Sequence, residues 1–245
     1  MLAELTEVLL LPHDDERFTS CVVVHGMGGT GKTVTAVAAV QDTAVRRWFS
    51  EIYWLTVGAD AVGEKIKMLQ SQLYKVSDPQ AHSKRITFVQ LLTCGSIQQL
   101  TGKATSTDDM QLKTEHDWQQ MLVGGMAGKE RALVVLDDPW MPEQVRFLNP
   151  IDGLQTEHRL LVTTRIRDLV PKATKVELPL MGKDEAVALL LDLANVEESS
   201  YTKEHPDTAW PPPAAYTIAA ECGLLPVTLT IAAQVVRSWG DGWGE

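Results

Sequence analysis

The residues of this sequence best suited to chemistry form the glycine-rich segment GMGGTGKT, which runs from Gly26 to Thr33. It fits the pattern G-x-x-x-x-G-K-[ST], in which backbone N–H groups surround a phosphate because glycines leave no Cβ in the way. In that pattern Lys32 neutralises the β- and γ-phosphates, and the Thr33 hydroxyl is a ligand for Mg²⁺. We expect Lys32 to lie on the surface of the loop. The alternative is a glycine-rich turn that matches the pattern by chance. The residues assigned to nucleotide contact here are Gly26, Met27, Gly28, Gly29, Thr30, Gly31, Lys32, Thr33 and Val34.

Two aspartates, Asp137 and Asp138, follow the apolar run LVVL. The run is typical of a buried strand, so both carboxylates are expected at its carboxyl end, where ligands of open parallel sheets bind. We assign Asp137 to Mg²⁺, directly or through water, and Asp138 to orienting or deprotonating an attacking water. The alternative is that Asp-Asp-Pro makes only a turn. Pro139 is expected to favour an extended conformation at Asp138.

A third polar group, Thr163, Thr164 and Arg165, ends another apolar run. If the two strands are neighbours, Arg165 emerges at the same sheet edge as the aspartates. A guanidinium there could contact a γ-phosphate and distinguish a triphosphate from a diphosphate. The alternative is a solvated arginine at a strand end.

The elements that must position these residues alternate between strand and helix, which favours a parallel sheet covered on both faces. We predict a three-layer α/β nucleotide-binding domain over residues 1–180 and a small helical subdomain over 181–245. Strands are predicted at 21–25, 51–57, 131–138, 158–165 and 175–180. Helices are predicted at 2–11, 33–48, 61–76, 86–100, 115–129 and 182–196, with two more within 212–239 that break at 223–226. Loop or irregular structure is predicted at 101–110, 142–150 and 197–213.

Composition excludes several classes of function. The 245 residues carry a formal net charge of −10, which argues against a nucleic-acid or anionic-membrane surface. The three cysteines are far apart and lack C-x-x-C spacing, as is typical of reduced cysteines in a cytoplasmic protein. The apolar run near the N-terminus is too short for a signal peptide or a membrane span.

Four motifs together resemble those of the NB-ARC nucleotide-binding domain. GMGGTGKT, LVVLDDPW, LLVTTR and CGLLPVTLTIAA occur in the order found in that family, which includes apoptotic adaptors and plant disease-resistance proteins. The family belongs to the signal-transduction ATPases with numerous domains. The resemblance implies ATP or ADP bound with Mg²⁺ between the α/β domain and the helical subdomain, with Pro226 against the adenine. It also supports the roles assigned above to Asp137, Asp138 and Arg165.

The function implied by this resemblance is an ADP/ATP-binding signalling switch with weak, Mg²⁺-dependent ATPase activity. The nucleotide state would control conformation, and the ATP state would favour a homo-oligomer. Sensor and effector domains would flank this segment. The residues themselves leave two alternatives open: a P-loop kinase or other turnover NTPase, and a nucleotide-binding module without hydrolysis.

The chain departs from the family pattern at several points. Leu224 stands where the family has glycine; if that position needs a positive φ, leucine costs stability unless Gly223 absorbs the turn. The base-contacting segment before the first helix and the later winged-helix domain are not found, so we expect a fragment or a shortened relative. Trp48, Trp54 and Trp140 lie at the ends of elements and are interpreted as packing anchors.

Overall fold

The computed structural model describes residues 1–77, 86–90, 114–154 and 156–239. The chain forms two compact units. The first comprises Met1–Gly26 and Lys32–Glu177, and the second comprises Met27–Gly31 and Leu178–Glu245. Residues Met27–Gly31 of the glycine-rich loop therefore belong to the second unit, whereas the residues on either side of them in the chain, Gly26 and Lys32, belong to the first.

A parallel sheet forms the centre of the first unit. Within the described residues it has six strands in the order β3-β2-β4-β5-β1-β6, and every neighbouring pair is parallel. This topology confirms the predicted α/β class. The strands are β1 (Cys21–His25), β2 (Glu51–Thr56), β3 (Ile86–Gln90), β4 (Ala132–Asp137), β5 (Arg159–Thr164) and β6 (Thr174–Glu177).

Helices cover both faces of this sheet, because its central strands are apolar on both sides. All six residues of β4 and all six of β5 are buried, and their side chains alternate between the faces. On one face Val134 and Leu136 belong to a core that includes residues of α4, α5 and α6, whereas α1 and α2 pack on the other. The helices are α1 (Leu2–Leu9), α2 (Lys32–Gln41), α3 (Thr43–Trp48), α4 (Glu64–Ser77), α5 (Glu115–Met126) and α6 (Pro142–Leu148).

The described residues of the second unit form helices joined by loops. Its core joins α7, α9 and α10 through fully buried side chains such as Leu190, Ala215 and Leu229. Between α9 and α10 the backbone turns through two residues with positive φ, Gly223 at 65° and Leu224 at 56°. The position of Leu224 therefore does adopt the left-handed conformation, and Gly223 does not relieve it. The helices are α7 (Lys183–Ala194), α8 (Glu198–Glu204), α9 (Pro213–Glu221) and α10 (Pro226–Trp239).

Four sequence-based assignments were wrong. The helix predicted over 33–48 is two helices, because the Asp42 carboxylate accepts hydrogen bonds from Ala44 N–H and Val45 N–H and starts α3. The helix predicted from 86 begins instead as strand β3, paired in parallel with β2. Residues 142–150 contain α6, and 197–213 contain α8.

The remainder of the helix predicted over 86–100 and the loop predicted over 101–110 lie outside the described residues. In the part of the chain that is described, no helix combines the length and apolar character needed to cross a membrane.

Candidate functional site

The register of the sheet brings three strand ends together. Asp137 of β4 pairs with Thr163 of β5, and Thr164 of β5 pairs with His25 of β1. His25 leads directly into the glycine-rich loop at Gly26. The polar groups predicted to share one sheet edge thus emerge from adjacent parallel strands at their carboxyl ends.

A hydroxyl and a carboxylate form the candidate metal pair at this edge. The Thr33 hydroxyl donates to Asp137 Oδ1 at 2.8 Å, and the Thr163 hydroxyl donates to the same oxygen at 2.5 Å. Asp137 is buried, with 6% of its surface exposed. These hard oxygen ligands fit Mg²⁺, which usually takes one or two protein ligands and completes its shell with water and phosphate oxygens. In the described residues no cluster of three or more His, Cys, Asp or Glu side chains could hold a metal alone.

Lys32 is buried, not on the loop surface as expected. Only 8% of its surface is exposed, and its Nζ donates to the carbonyl oxygen of Gly26 at 3.0 Å. Burial lowers the pKa of Lys32, and the positive charge of Arg165 lowers it further, while Asp138 and Asp137 act in the opposite direction. Lys32 and Arg165 are thus two positive charges that repel each other at a partly desolvated site. An anionic ligand such as a phosphate would stabilise both charges.

Asp138 adopts a left-handed conformation, with φ of 58°, and not the extended one expected before Pro139. Its N–H donates to the Thr163 carbonyl oxygen at 2.9 Å and lies 3.1 Å from the Thr163 hydroxyl oxygen. Aspartate tolerates positive φ better than most residues. The hydrogen bonds to β5 therefore outweigh the preference imposed by the proline.

Arg165 and Trp140 both contact the Asp138 side chain. Arg165 Nε lies 3.9 Å from Asp138 Oδ1, and the Trp140 indole N–H donates to Asp138 Oδ2 at 3.1 Å. The guanidinium carbon of Arg165 lies 4.9 Å from the centre of the Trp140 ring. Trp140 is also 37% exposed. The interpretation of Trp140 as a packing anchor therefore leaves out its contacts with Asp138 and Arg165. The available signal was an indole only two residues after a candidate catalytic carboxylate.

The loop residues Met27–Gly31 belong to the second unit. There the Thr30 hydroxyl donates to the Met27 carbonyl oxygen at 2.9 Å. Gly29 has φ of 84°, and a Cβ at this position would lie 2.3 Å from a methyl group of Val227. Residue 29 must therefore be glycine on both conformational and steric grounds.

The two remaining assigned residues lie on helices. Val34, in the first turn of α2, is 72% exposed. Pro226 is the first residue of α10, where a proline is compatible with the helix because no N–H is needed. Contact of either residue with a nucleotide stays a prediction.

Strand β1, the glycine-rich loop and helix α2 define a P-loop NTPase together with β4, which ends in an aspartate and is separated from β1 by β5. The chain belongs to the NB-ARC domain family, whose model matches residues 1–94 and 85–200. This match confirms the resemblance, and it spans the first three of the four motifs.

Curated relatives agree with this membership. The chain is 20% identical over 229 residues to apoptotic protease-activating factor 1 of Rattus norvegicus and 24% identical over 228 residues to that of Danio rerio. Each match covers 91% of this chain and 15% of the relative. Disease resistance protein RPM1 of Arabidopsis thaliana is 28% identical over 194 residues, which is 76% of this chain and 18% of that protein.

A solved structure shares the fold. It is the signal transduction ATPase with numerous domains from Pyrococcus horikoshii that carries a tetratricopeptide repeat sensor. The TM-score is 0.52 at 17% identity, and the match covers 95% of this chain and 28% of that one.

Proposed function

We propose that this chain is a nucleotide switch that binds ADP or ATP with Mg²⁺ and slowly hydrolyses ATP. The observation that carries the proposal is the 2.8 Å hydrogen bond between Thr33 and Asp137, since it holds the two candidate metal ligands side by side next to Lys32. Both the fold and the family membership support a phosphate ligand at this edge.

Binding would depend on three parts of the chain. Backbone N–H groups of the loop Gly26–Gly31 would donate to phosphate oxygens, and Lys32 would turn from the Gly26 carbonyl oxygen to a phosphate. Thr33 and Asp137 would hold Mg²⁺, which supplies charge neutralisation at the phosphates when it is bound. We carry adenine specificity, and the contact with Pro226, over from the family alone.

Hydrolysis would use the two residues next to the metal pair. Asp138 would accept a hydrogen bond from the attacking water and orient it towards the γ-phosphate. Arg165 would stabilise the charge on the transferred phosphoryl group. With its side chain 51% exposed, Arg165 has room to reach a ligand, and its contact with Asp138 is long enough to be exchanged.

The biological output would follow from the difference between ATP and ADP. Arg165 can interact with a γ-phosphate and not with ADP, so the two nucleotides would stabilise different conformations and different degrees of self-association. The relatives named above concern apoptosis and disease resistance, which is the basis for extending the proposal to signal transduction. Flanking sensor and effector domains would supply the input and the response.

Binding and cleavage need separate measurements. Titration calorimetry with ATP, ADP and GTP, each with and without Mg²⁺, tests the ligand. We expect micromolar or tighter binding of the adenine nucleotides, no detectable binding by Lys32→Ala, and a reduced effect of Mg²⁺ with Thr33→Val. Normal ATP binding by folded Lys32→Ala would contradict the proposed site.

Overnight incubation with radiolabelled ATP then distinguishes the enzyme classes. Slow phosphate release at a rate that does not change when metabolites are added supports the proposed nucleotide switch. Fast turnover that requires an acceptor would indicate a kinase. Tight binding without any cleavage would indicate a module that only holds nucleotide. Lys32→Ala serves as the blank for contaminating ATPase.

A further inference from the structure

We infer that Trp140 is a positioning residue of the nucleotide site, which sets the orientation of Asp138 and Arg165 together. The inference rests on the hydrolysis proposed above. It concerns a residue that the sequence motifs present only as an aromatic side chain after two aspartates.

Trp140 is held in place from its backbone side. Its N–H donates to Gln144 Oε1 at 2.6 Å. Gln144 is fully buried, and its Nε2 donates to the carbonyl oxygens of Gly58 and Ala61 at 3.0 Å each. A buried amide that makes hydrogen bonds through both of its atoms has little freedom, so Trp140 is attached to the loop after β2 by a rigid link.

The two residues before Trp140 are held as well. Asp138 N–H is bonded to Thr163, and the Pro139 carbonyl oxygen accepts from the Thr164 hydroxyl at 2.9 Å. Asp138 has a left-handed backbone conformation, and such conformations persist where the surrounding structure determines them several times over. Each residue of the turn from Asp138 to Trp140 has its own fixed partner, so the turn is a rigid support.

From this support the indole reaches both charged groups. Its N–H at 3.1 Å from Asp138 Oδ2 fixes the rotation of the carboxylate and leaves Oδ1 towards Arg165. Its ring lies under the Arg165 guanidinium at 4.9 Å, a distance at which a cation is attracted to an aromatic face. A single side chain therefore aligns the hydrogen-bond acceptor for water with the cation for the phosphoryl group.

A purely structural role explains less of this geometry. Trp140 is 37% exposed, so burial of its ring is incomplete, and the polar edge of the indole points at a functional carboxylate. Trp48 offers the contrast. It also lies against an arginine, with the guanidinium carbon of Arg131 4.6 Å from its ring centre, but its buried indole nitrogen has no hydrogen-bond partner among the described residues.

The test separates the N–H from the ring. Trp140→Phe keeps a ring for Arg165 and removes the donor to Asp138. We expect its Kd for ATP to stay within about threefold of the parent, while kcat falls about tenfold, the effect of one hydrogen bond to a charged group. Trp140→Ala also removes the ring beside Arg165. In addition to the fall in kcat, we expect the ratio of the affinities for ATP and ADP to fall about threefold. Trp48→Phe is the matched control, with kcat and Kd as in the parent.

A double-mutant cycle shows whether Trp140 acts through Asp138. The variant Asp138→Ala/Trp140→Phe should hydrolyse ATP no more slowly than Asp138→Ala, since the group that the indole positions is already gone. Losses that multiply, or an unchanged kcat in Trp140→Phe, would overturn the inference.

Failure of the wider proposal has a different signature. A parent chain that binds ATP but never cleaves it contradicts hydrolysis and removes this role of Trp140 with it. A parent that cleaves ATP, beside a Trp140→Phe variant that cleaves equally well, contradicts the role of Trp140 alone.

Discussion

Two charged residues of the candidate site are held at a cost in free energy. Lys32 is buried with a lowered pKa, and Asp138 has a positive φ. Perturbed ionisation and strained backbone are concentrated at functional sites, because selection tolerates their cost only where they serve a purpose. The geometry of these two residues thus supports a site independently of the motif in which each occurs.

Substitution of Asp138 separates chemistry from backbone strain. Asp138→Asn can keep the left-handed conformation and can accept from Trp140 through its amide oxygen, but it is a poor proton acceptor. We expect ATP binding within about threefold of the parent and hydrolysis reduced by roughly 10²-fold or more. Asp138→Ala should lose hydrolysis similarly and also about 1 kcal/mol of stability, because alanine is less tolerant of positive φ. Single-turnover phosphate release and urea unfolding measure the two effects, and parental hydrolysis by both variants would exclude Asp138 as the water-orienting group.

At the scale of elements, His158 connects α5, β4 and β5 through a neutral ring. Its Nδ1 accepts from Ala132 N–H at 2.9 Å, so Nε2 carries the proton and donates to the Met126 carbonyl oxygen at 3.2 Å. Burial lowers the pKa of His158. Protonation of Nδ1 would replace an accepted hydrogen bond by two donors that face each other.

This tautomer predicts lower stability in acid. Because the pKa of His158 in the folded state lies below its unfolded value of about 6.5, the unfolded chain binds more protons below that pH, and the free energy of unfolding falls as pH decreases through it. Burial also lowers the pKa of His25, which adds to the same trend. We expect His158→Asn, which keeps an acceptor for Ala132, to show a smaller loss between pH 7.5 and 5.5 in urea unfolding. An equal loss in the variant and the parent would show that His158 does not contribute.

At Leu224, in the turn between α9 and α10, we expect glycine to be more stabilising than alanine, which is the reverse of the usual order within a helix. Leu224 has φ of 56° and also packs against the core of the second unit. Leu224→Ala loses that packing and keeps the strained Cβ, whereas Leu224→Gly loses the packing and relieves the strain. We expect the glycine variant to be more stable than the alanine variant by about 1 kcal/mol. At the exposed helical position 220 the sign reverses, and Ala220→Gly should cost about 1 kcal/mol. If thermal unfolding shows alanine to be more stable than glycine at both positions, the backbone at Leu224 is not strained.

The elements that sequence could predict are those specified by local pattern. Strand β1 was predicted at its observed bounds, and β4 and β5 within one residue at each end, because their continuous apolar runs suit a strand buried on both faces. Strand β3 was missed because its local apolar content is compatible with a helix, and only pairing with the distant β2 decides between them. The backbone of Asp138 was missed for the same reason, since its partner Thr163 lies in another strand.

For the whole molecule, net charge opposes self-association. Each copy carries a formal charge of −10, and bound nucleotide adds more negative charge. Two such copies repel each other at low salt, and this repulsion is screened beyond about 10 Å at 0.1 M ionic strength. Any ATP-driven assembly of this chain must therefore overcome an electrostatic barrier that ADP-bound copies share almost equally.

The salt dependence of assembly distinguishes a specific ATP effect from general stickiness. We predict that Asp138→Asn forms a species of higher mass with Mg²⁺ and ATP than with Mg²⁺ and ADP. Raising the salt from about 50 to about 300 mM should increase association of the ATP form. The reason is that the γ-phosphate selects a conformation through Arg165, while salt only removes repulsion. Light scattering after size exclusion at equal protein concentrations gives the masses. Arg165→Ala is the matched control, expected to bind both nucleotides and to show one mass. Equal masses for the ATP and ADP forms of Asp138→Asn at both salt concentrations would contradict nucleotide control of assembly in this chain, and association that grows equally in both forms would reveal a contact that the nucleotide does not govern.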